Sequence, residues 1–451
     1  MPIISRMIKQ EEIKAIKGYV IDNCDIKSDI NHSTNFRKNS SLKANLYPSN
    51  YLKTILSISE RYLEQVFRNK ELEEFYSRIK FIESSPDTNQ IIKEFSYQYI
   101  KFVKEIYQRS YKHADKKLCN FISQKSSDIK IIWGNAYNVL KSMDSESVHL
   151  MVTSPPYYNA RDYSVWSNLN EYLKDMQKII AEAYRVLDNH RVFVFNVGDV
   201  FDNANLKTKS VWGKRRLPLG AYFIKIFEEV GFTFVDDFIW DKGEVQSERH
   251  KNGSTPYPFY QYPMNCYEHI LIFHKHRLDK TRYPCPVCGT LKVNGNTQSE
   301  IGIQSWECKN DKCFVRSKSN RGKRFSLKSI MAQMGQTDNN IIAESTVKKW
   351  RRDIIKFSPV IKINSKGENI LGHTAPFPED IPEMAIKFFS YKNEIVLDSF
   401  AGSFTTAIVA NKFDRMGVGI EMNKKRFRDC IIKNIHNKLG GIFTKIEELD
   451  Y

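Results

Sequence analysis

The chain of 451 residues is long enough for two or three domains, and 41% of its residues are hydrophobic. Its formal net charge of +17 and its isoelectric point near 9.3 favour a polyanionic partner. No apolar run reaches the roughly 18 residues that a membrane span requires, and residues 1–6 lack the apolar core of a secretory signal. These features argue against a membrane partner, and we expect the protein in the cytoplasm.

Residues 1–128 are predicted to form a helical extension. Charged amphipathic stretches such as residues 51–63 repeat apolar residues at helical spacing, and strand-like patterns are scarce. A packing annex and a dimerisation arm both fit this pattern, so the oligomeric state stays open. The polar and basic cluster at residues 35–41 is compatible with DNA contact and equally with a solvated loop.

Residues 129–275 alternate strand-like and helix-like patterns, which predicts one half of a doubly wound α/β sheet. The expected elements are a helix at residues 173–187, a strand at 191–195, a helix at 221–230, and strands at 232–240 and 268–273. Their apolar side chains are expected to build the core and to carry no chemistry.

The most informative segment of this half is Ser154-Pro155-Pro156-Tyr157, directly after an apolar run at residues 148–153. Two prolines cannot continue a sheet, so they force a stiff, extended loop at the carboxyl end of a buried strand. Open α/β sheets bind their ligands at that end. The loop presents a hydroxyl, backbone carbonyls outside any ladder and an aromatic ring in one fixed arrangement, which suits the recognition of an extruded base. These four residues are the predicted catalytic residues.

The basic insert at residues 276–360 carries 17 Lys and Arg against 7 Asp and Glu. It contains the pairs Cys285 and Cys288, and Cys308 and Cys313. Two cysteine pairs at such spacing match a zinc ribbon, in which a metal replaces a core too small to form alone. Disulfides and unconnected buried thiols are the alternatives, but a cytoplasmic setting and the clustering of the four cysteines favour zinc. Because four thiolates fill the tetrahedral shell, the predicted zinc is structural.

A basic run follows the ribbon and is predicted to contact DNA phosphates. Its cationic side chains are Arg316, Lys318, Arg321, Lys323 and Arg324. A flexible loop is the alternative, but attachment to a rigid ribbon favours phosphate contact. The insert is therefore the predicted target-recognition region.

A second informative signal lies at residues 396–406, where an apolar strand ends in a turn of small residues and enters a helical stretch. A further strand at residues 416–421 ends in Glu421, about 20 residues past the turn. In a βαβ nucleotide site the turn lets the backbone approach the ligand, and the acidic residue accepts both ribose hydroxyls. Residues 361–451 are therefore predicted to be the cofactor-binding half of the sheet.

Together, the catalytic loop and the cofactor turn resemble the S-adenosylmethionine-dependent DNA amino-methyltransferases, in the permuted order that puts the catalytic loop first. The resemblance covers roughly residues 129–435. Further segments match in family order at residues 133–136, 158–163, 195–199 and 373–378. This chain departs from the family at Ser399, Phe404 and Asn135, where the family usually has Pro, Gly and Asp.

The resemblance implies a Rossmann-like methyltransferase sheet that binds S-adenosyl-L-methionine and methylates double-stranded DNA by base flipping. The residues it assigns to the cofactor are Asn135, Thr153, Phe377, Asp398, Phe400, Gly402, Ser403, Thr405 and Glu421. In the family, such enzymes often accompany a cognate restriction endonuclease.

Serine at the first position of the catalytic loop resembles the branch that modifies N4 of cytosine, and Asp or Asn there is the commoner adenine-N6 pattern. Both bases stay open, because no physical argument excludes adenine. A zinc-ribbon nucleic-acid-binding protein with a degenerate core and an RNA or protein methyltransferase are the remaining alternatives.

Overall fold

A computed structural model describes residues 48–85, 87–159, 166–201, 216–243, 265–277, 281–299, 303–360, 378–440 and 444–451. Three segments used above lie outside the described residues, namely 35–41, 160–163 and 373–377. Within the described part of the chain, every helix is too short or too polar to span a lipid bilayer.

The helices, numbered along the described chain, are α1 (Pro48–Val66), α2 (Asn69–Ile79), α3 (Thr88–Arg109), α4 (Lys116–Ser123), α5 (Ala136–Lys141), α6 (Leu169–Val186), α7 (Leu219–Val230), α8 (Phe314–Ser319), α9 (Leu327–Gly335), α10 (Glu344–Lys349), α11 (Asp380–Phe389), α12 (Thr405–Lys412) and α13 (Lys424–Leu439). The strands are β1 (Ile129–Trp133), β2 (Val148–Thr153), β3 (Leu187–Val197), β4 (Val200–Phe201), β5 (Arg216–Leu217), β6 (Thr233–Asp241), β7 (Tyr267–His274), β8 (Val293–Gln298), β9 (Gln304–Cys308), β10 (Arg324–Phe325), β11 (Ile354–Lys356), β12 (Ile395–Asp398), β13 (Met416–Glu421) and β14 (Ile446–Asp450). Short 3-10 turns lie at Lys80–Ser84 and Asp338–Asn340.

The chain forms two compact units, each built from two separate stretches of sequence. The sheet unit comprises Gln108–His276 and Gln336–Tyr451, and the helix-ribbon unit comprises the chain up to Tyr107 together with Arg277–Gly335. This division differs from the boundaries that composition suggested. Residues 108–128 and 336–360, which composition places in the helical extension and the insert, group with the sheet unit, where β11 pairs with β6.

The sheet unit confirms the predicted α/β class. Its nine strands lie in the order β11-β6-β7-β3-β2-β12-β13-β1-β14, and β7 alone among them runs antiparallel to its neighbours. Strands β1, β2 and β13 are mostly apolar and almost wholly buried, because both of their faces are covered, as in parallel sheets generally. The strands β2, β3, β12, β13 and β1 therefore end at one edge, and β7 begins there.

Helix α6 shows how local sequence sets one face of this sheet. The side chain of Asn168 caps its first turn by accepting from the Glu171 amide, as capping asparagines do. Met176, Ile180 and Ala183 are buried, as their helical spacing predicts. The predicted end of the helix at residue 187 is one residue too late, because residue 187 already starts β3.

The helix-ribbon unit has one core to which the N-terminal helices and the cysteine insert both contribute. Its buried members from the helices include Leu63, Phe75, Phe95 and Phe102, and those from the insert include Tyr283, Leu291, Val293 and Trp306 together with all four predicted zinc ligands. The ribbon itself is the three-stranded antiparallel sheet β10-β9-β8. The helical extension and the ribbon thus bury their apolar faces against each other, and neither is a free-standing domain.

Polar contacts fix the helices on the ribbon. The buried Ser59 hydroxyl on α1 accepts from the Leu291 amide at 3.0 Å. On α3, the Tyr99 hydroxyl donates to the Arg282 carbonyl at 2.8 Å. The partners in these two bonds are 183 and 232 residues apart in the sequence.

We predict that Ser59→Ala destabilises the helix-ribbon unit by about 1–3 kcal/mol, because the buried Leu291 amide loses its acceptor. Ser57→Ala is the matched control, since Ser57 lies on the same helix with an exposed side chain. Denaturant titration combined with hydrogen exchange of α1 and the ribbon measures the effect. Equal stability of the two variants would show that the bond contributes nothing.

Candidate active site

The catalytic loop and the cofactor turn lie side by side in the sheet unit. The loop follows β2 and the turn follows β12, and these two strands pair in parallel, with Leu397 opposite Met151. On the other side of β12 lies β13, which ends in Glu421. The structure therefore brings the two sequence signals to one edge of the sheet, at a point where ligands bind in open α/β folds.

One buried carboxylate joins the loop to the turn. Asp398 is 0% exposed, and it accepts from the Thr153 hydroxyl at 2.5 Å, from the Thr406 hydroxyl at 2.8 Å and from the Phe400 amide at 3.0 Å. Both of its oxygens thus bind protein donors. Asp398 and Thr153, which the resemblance assigned to the cofactor, here bind each other and hold the site's backbone in place.

The Pro155 carbonyl, beside Ser154, is an acceptor without a donor among the described residues. The Pro156 carbonyl accepts from the Tyr172 hydroxyl on α6 at 3.0 Å, which anchors the end of the loop. No described residue donates to the Pro155 carbonyl. Ser154 is half-buried, and its hydroxyl lies 3.4 Å from the Tyr157 hydroxyl. A hydroxyl and a carbonyl are therefore available to bind the protons of an amino group.

Tyr157 is held by Glu268, which no motif in the sequence marks, together with Asn196 and Gly198 of the segment 195–199. Its hydroxyl donates to Glu268 Oε2 at 2.9 Å, and that carboxylate also binds Asn196 Nδ2 at 3.2 Å and Lys242 Nζ at 3.0 Å. A Cβ at Gly198 would lie 3.3 Å from Tyr157 Cε2, so glycine there gives the ring its place. Glu268 could not be found from local pattern, because it faces the loop only through the reversed direction of β7.

Glu421 stands at the end of β13, as predicted, and its carboxylate organises the cofactor turn. It accepts from the Gly402 amide at 3.2 Å and from the Asn423 amide at 3.0 Å. Burial raises the pKa of Glu421, and these backbone donors oppose that shift. Gly402 has φ of 51°, a left-handed conformation that favours glycine. Since each carboxylate oxygen has two lone pairs, acceptor capacity remains for a ligand's hydroxyls.

Phe404 replaces the family's glycine without projecting from the turn. Its backbone is left-handed, with φ of 64°, and its side chain is 0% exposed. The ring packs against Gly419 on β13, where a Cβ would come within 2.3 Å of Phe404 Cε1. The bulky side chain is therefore accommodated in the core, at the cost of roughly 1–2 kcal/mol that a left-handed residue usually carries.

Four further residues are assigned to the cofactor, and three of them lie among the described residues. Asn135 is exposed after β1, and its side chain caps α5 by accepting from the Asn138 amide at 3.3 Å. Ser403 lies in the turn and Thr405 begins α12, and their hydroxyls bind each other at 2.9 Å. Phe377 lies outside the described residues.

The four cysteines of the helix-ribbon unit converge on one point. Their sulfurs all lie within 4.8 Å of one another, and all four side chains are buried. The sulfurs of Cys288 and Cys308 are 3.7 Å apart, which suits a tetrahedral ion with bonds of about 2.3 Å. The Cys288 sulfur also contacts Thr290 Oγ1 at 3.3 Å and Asn310 Nδ2 at 3.5 Å, polar groups that stabilise a thiolate.

The basic run lies directly after the last cysteine. Lys318, Arg321 and Arg324 are exposed, whereas Arg316 is half-buried and ion-paired with Asp311 at 2.9 Å. Lys323 is half-buried, and its carbonyl accepts from the Cys308 amide at 3.0 Å, which ties this segment to the ribbon. Three of the five predicted phosphate-contacting side chains are thus exposed to solvent.

Comparison with known proteins places most of the sheet unit in one family. Residues 148–434, well over half of the chain, match the N6/N4 methyltransferase family described as DNA methylase. The chain is 38% identical over 350 residues to the Type II beta methyltransferase M.BslI of Bacillus sp. strain NEB-606, covering 77% of this chain and 32% of that protein. It is 26% identical to the Type II methyltransferase M.MjaI of Methanocaldococcus jannaschii, covering 71% of this chain and 94% of the relative.

A solved structure of PvuII DNA methyltransferase, described as cytosine-N4-specific, is a more distant match. It is 17% identical, has a TM-score of 0.42, and the match covers 71% of this chain and 94% of that one. Similarity at this level does not assign a target base. The chain spans about a third of M.BslI, so that relative's whole activity does not transfer to it directly.

The buried carboxylate of Asp398 predicts a pH dependence of stability. Burial raises its pKa to about 6, although the Thr153 and Thr406 hydroxyls and the Phe400 amide lower it. An unfolded aspartate has a pKa near 3.9, so the folded protein binds this proton more tightly, and the group's contribution to stability falls as the pH rises from about 4 to about 6. At 1.36 kcal/mol per unit, the fall is about 3 kcal/mol.

The Asp398→Asn variant cannot ionise at this position, so its stability should lack this pH-dependent contribution. Between pH 4 and pH 7, the difference in unfolding free energy between wild type and variant should therefore move in the variant's favour by about 2 kcal/mol. Denaturant titrations of both proteins at the two pH values measure this. A difference that is independent of pH would mean that Asp398 ionises in the folded protein as it does when unfolded.

Proposed function

We propose that this chain, which belongs to the N6/N4 DNA methylase family, transfers a methyl group from S-adenosyl-L-methionine to the N4 amino group of cytosine in duplex DNA. The observation that carries this proposal is the bond between Thr153 and Asp398, which joins a base-binding loop to a nucleotide-type turn at 2.5 Å. Two substrates that must react are thereby given adjacent sites, and holding them together is a large part of catalysis.

The cofactor pocket is formed by the turn after β12 and the end of β13. Glu421 is suited to accept the ribose hydroxyls, because its carboxylate is fixed by the Gly402 and Asn423 amides. The turn offers backbone at close range through Gly402. When bound, S-adenosyl-L-methionine supplies an activated methyl group.

The catalytic loop prepares the amino group of the base. An exocyclic amine is a poor nucleophile while its lone pair is delocalised into the ring, and acceptors that bind its protons favour the reactive geometry. The Ser154 hydroxyl and the Pro155 carbonyl are these acceptors. The ring of Tyr157 stacks on the base after the base has left the duplex, since the amino group cannot be approached in line within the stack.

Cytosine is the proposed base because the loop begins with serine. The family's commoner adenine pattern has Asp or Asn at that position, and the chain has a neutral hydroxyl there. Adenine N6 is the alternative outcome of the experiment below. The relatives' names as Type II methyltransferases support a cognate restriction endonuclease as a partner.

We predict that DNA from cells expressing the protein carries N4-methylcytosine at one sequence motif, detected by sequencing that distinguishes modified bases. Ser154→Ala should abolish most of this signal and retain cofactor binding, because the serine is assigned to the base and not to the cofactor. Glu421→Ala should instead weaken cofactor binding by about 1.5–3 kcal/mol, the usual value for hydrogen bonds to a charged group, as calorimetry can measure.

Each outcome of this experiment has one meaning. N6-methyladenine in place of N4-methylcytosine would correct the base and keep the enzyme class. Unmodified DNA together with no cofactor binding by the wild type would instead favour a non-catalytic nucleic-acid-binding protein. Normal methylation by Ser154→Ala would overturn the assignment of the loop.

We also propose that the four cysteines bind one structural zinc ion. Their sulfurs lie close enough for a single tetrahedral shell, and the burial of all four excludes a reacting water from the site. The basic residues beside the ribbon then contact DNA phosphates and contribute affinity without reading sequence. The residues in this role are Arg316, Lys318, Arg321, Lys323 and Arg324.

Metal analysis should find about one zinc per chain. Joint Cys285→Ser and Cys288→Ser substitution should abolish zinc binding and increase hydrogen exchange in α1 and α3 as well as in the ribbon, because all share one core. Joint Cys119→Ser and Cys430→Ser substitution is the matched control, since these cysteines lie outside the cluster. Wild-type protein without zinc, or an unchanged exchange pattern in the ribbon variant, would contradict the metal site.

A further inference from the structure

We propose that Glu268 is a positioning residue of methyl transfer, which acts through Tyr157 to orient the Ser154 hydroxyl as an acceptor for the amino group of the base. This inference rests on the proposed function and adds a residue to its machinery. Glu268 lies at the start of β7, far from both sequence motifs, and it meets the catalytic loop because β7 is reversed in the sheet.

Three groups form a chain of hydrogen bonds under the loop. The Ser154 hydroxyl donates to the Tyr157 oxygen at 3.4 Å, and the Tyr157 hydroxyl donates to Glu268 Oε2 at 2.9 Å. The first distance is long, as catalytic bonds often are before the substrate is bound. Every donor in this series of hydrogen bonds points toward the Glu268 carboxylate. Because a carboxylate accepts and does not donate, it fixes the direction of the whole series.

Glu268 is ion-paired and hydrogen-bonded by its own partners. Lys242 Nζ lies 3.0 Å from Oε1, and both side chains of this ion pair are only 15% exposed. Asn196 Nδ2 donates to Oε2 at 3.2 Å. Burial and the neighbouring carboxylate raise the pKa of Tyr157 well above its ordinary value, which keeps the phenol protonated and able to donate.

The direction of this chain determines what Ser154 can offer a base. A serine hydroxyl has one proton and two lone pairs, and it can present either to a ligand. With its proton directed to Tyr157, only lone pairs face the substrate, which is what a donor N–H requires. The negative charge of Glu268 polarises the chain and makes the serine oxygen a better acceptor. A neutral serine thereby gains part of the character of the carboxylate found in the adenine pattern.

The alternative is that Tyr157 matters only as a stacking ring and Glu268 only as packing. The two ideas differ in what the Tyr157 hydroxyl contributes. Tyr157→Phe keeps the ring and removes the hydroxyl, and Glu268→Gln keeps the shape and removes the charge. Tyr184→Phe is the matched control, since its hydroxyl donates to the His276 carbonyl at 2.8 Å in the same unit, away from the loop.

We expect both site variants to reduce the single-turnover rate of methyl transfer about 10- to 100-fold, the equivalent of losing one hydrogen bond to a charged group. Their affinities for S-adenosyl-L-methionine and for duplex DNA should stay within about twofold of wild type, because Tyr157→Phe keeps the stacking ring and Glu268 is assigned to no ligand. Tyr184→Phe should transfer methyl groups at the wild-type rate. A wild-type rate for Tyr157→Phe would overturn the inference.

The double variant separates a shared role from two independent ones. If Glu268 acts through the Tyr157 hydroxyl, Tyr157→Phe with Glu268→Gln should be about as slow as the slower single variant. Multiplied effects would mean that Glu268 acts by another route and would overturn the proposal. Wild-type protein that binds cofactor and methylates no DNA would count against the proposed function, whereas an active wild type with unaffected variants counts against Glu268 alone.

Discussion

The sheet unit depends on the burial of one carboxylate between two strand ends. Thr153 and Asp398 lie 245 residues apart in sequence, and they meet because β2 and β12 are neighbours. Taking a carboxylate out of water is unfavourable unless donors replace the water. Asp398 has three such donors, which come from both segments. A shift of either segment would leave a buried acceptor unsatisfied, so the relative position of loop and turn is specified energetically as well as sterically.

Local signals in the sequence located the ends of the right strands but not the neighbours of those strands. The Pro-Pro pair, the small residues of the turn and the acidic end of β13 each have a local physical cause, and the structure places all three at one edge. Glu268 has no such signal, because an acidic residue before an apolar strand is ordinary. Its role follows from the direction of β7, which depends on pairing with β3 and β6. Strand pairing cannot be predicted from any one of these segments alone.

Sequence also gave an incomplete account of the insert. The cysteine spacing predicted their convergence, which requires only short loops. It could not show that the N-terminal helices cover the ribbon, because Ser59 resembles any serine in an amphipathic helix until its partner Leu291 is known. At Phe404 the sequence instead overstates a problem that the structure resolves. It departs from the family pattern, and the structure shows the compensating absence of a side chain at Gly419. Such a pair must change together, so judging Phe404 alone exaggerates its cost.

Each unit is built from two separate stretches of sequence, and this has a consequence for synthesis on the ribosome. The helices of the helix-ribbon unit end near Tyr107, and the ribbon starts at Arg277, about 170 residues later. At ~5–20 residues per second, the apolar faces of α1 and α3 wait roughly 10 to 30 s for the ribbon to emerge. The nascent sheet likewise lacks β12 and β13 until the last part of the chain is made. The helix-ribbon unit cannot mature before Gly335 has been made, and the sheet unit must wait for its last strands. Exposed apolar surface therefore persists through most of translation, which favours engagement by chaperones.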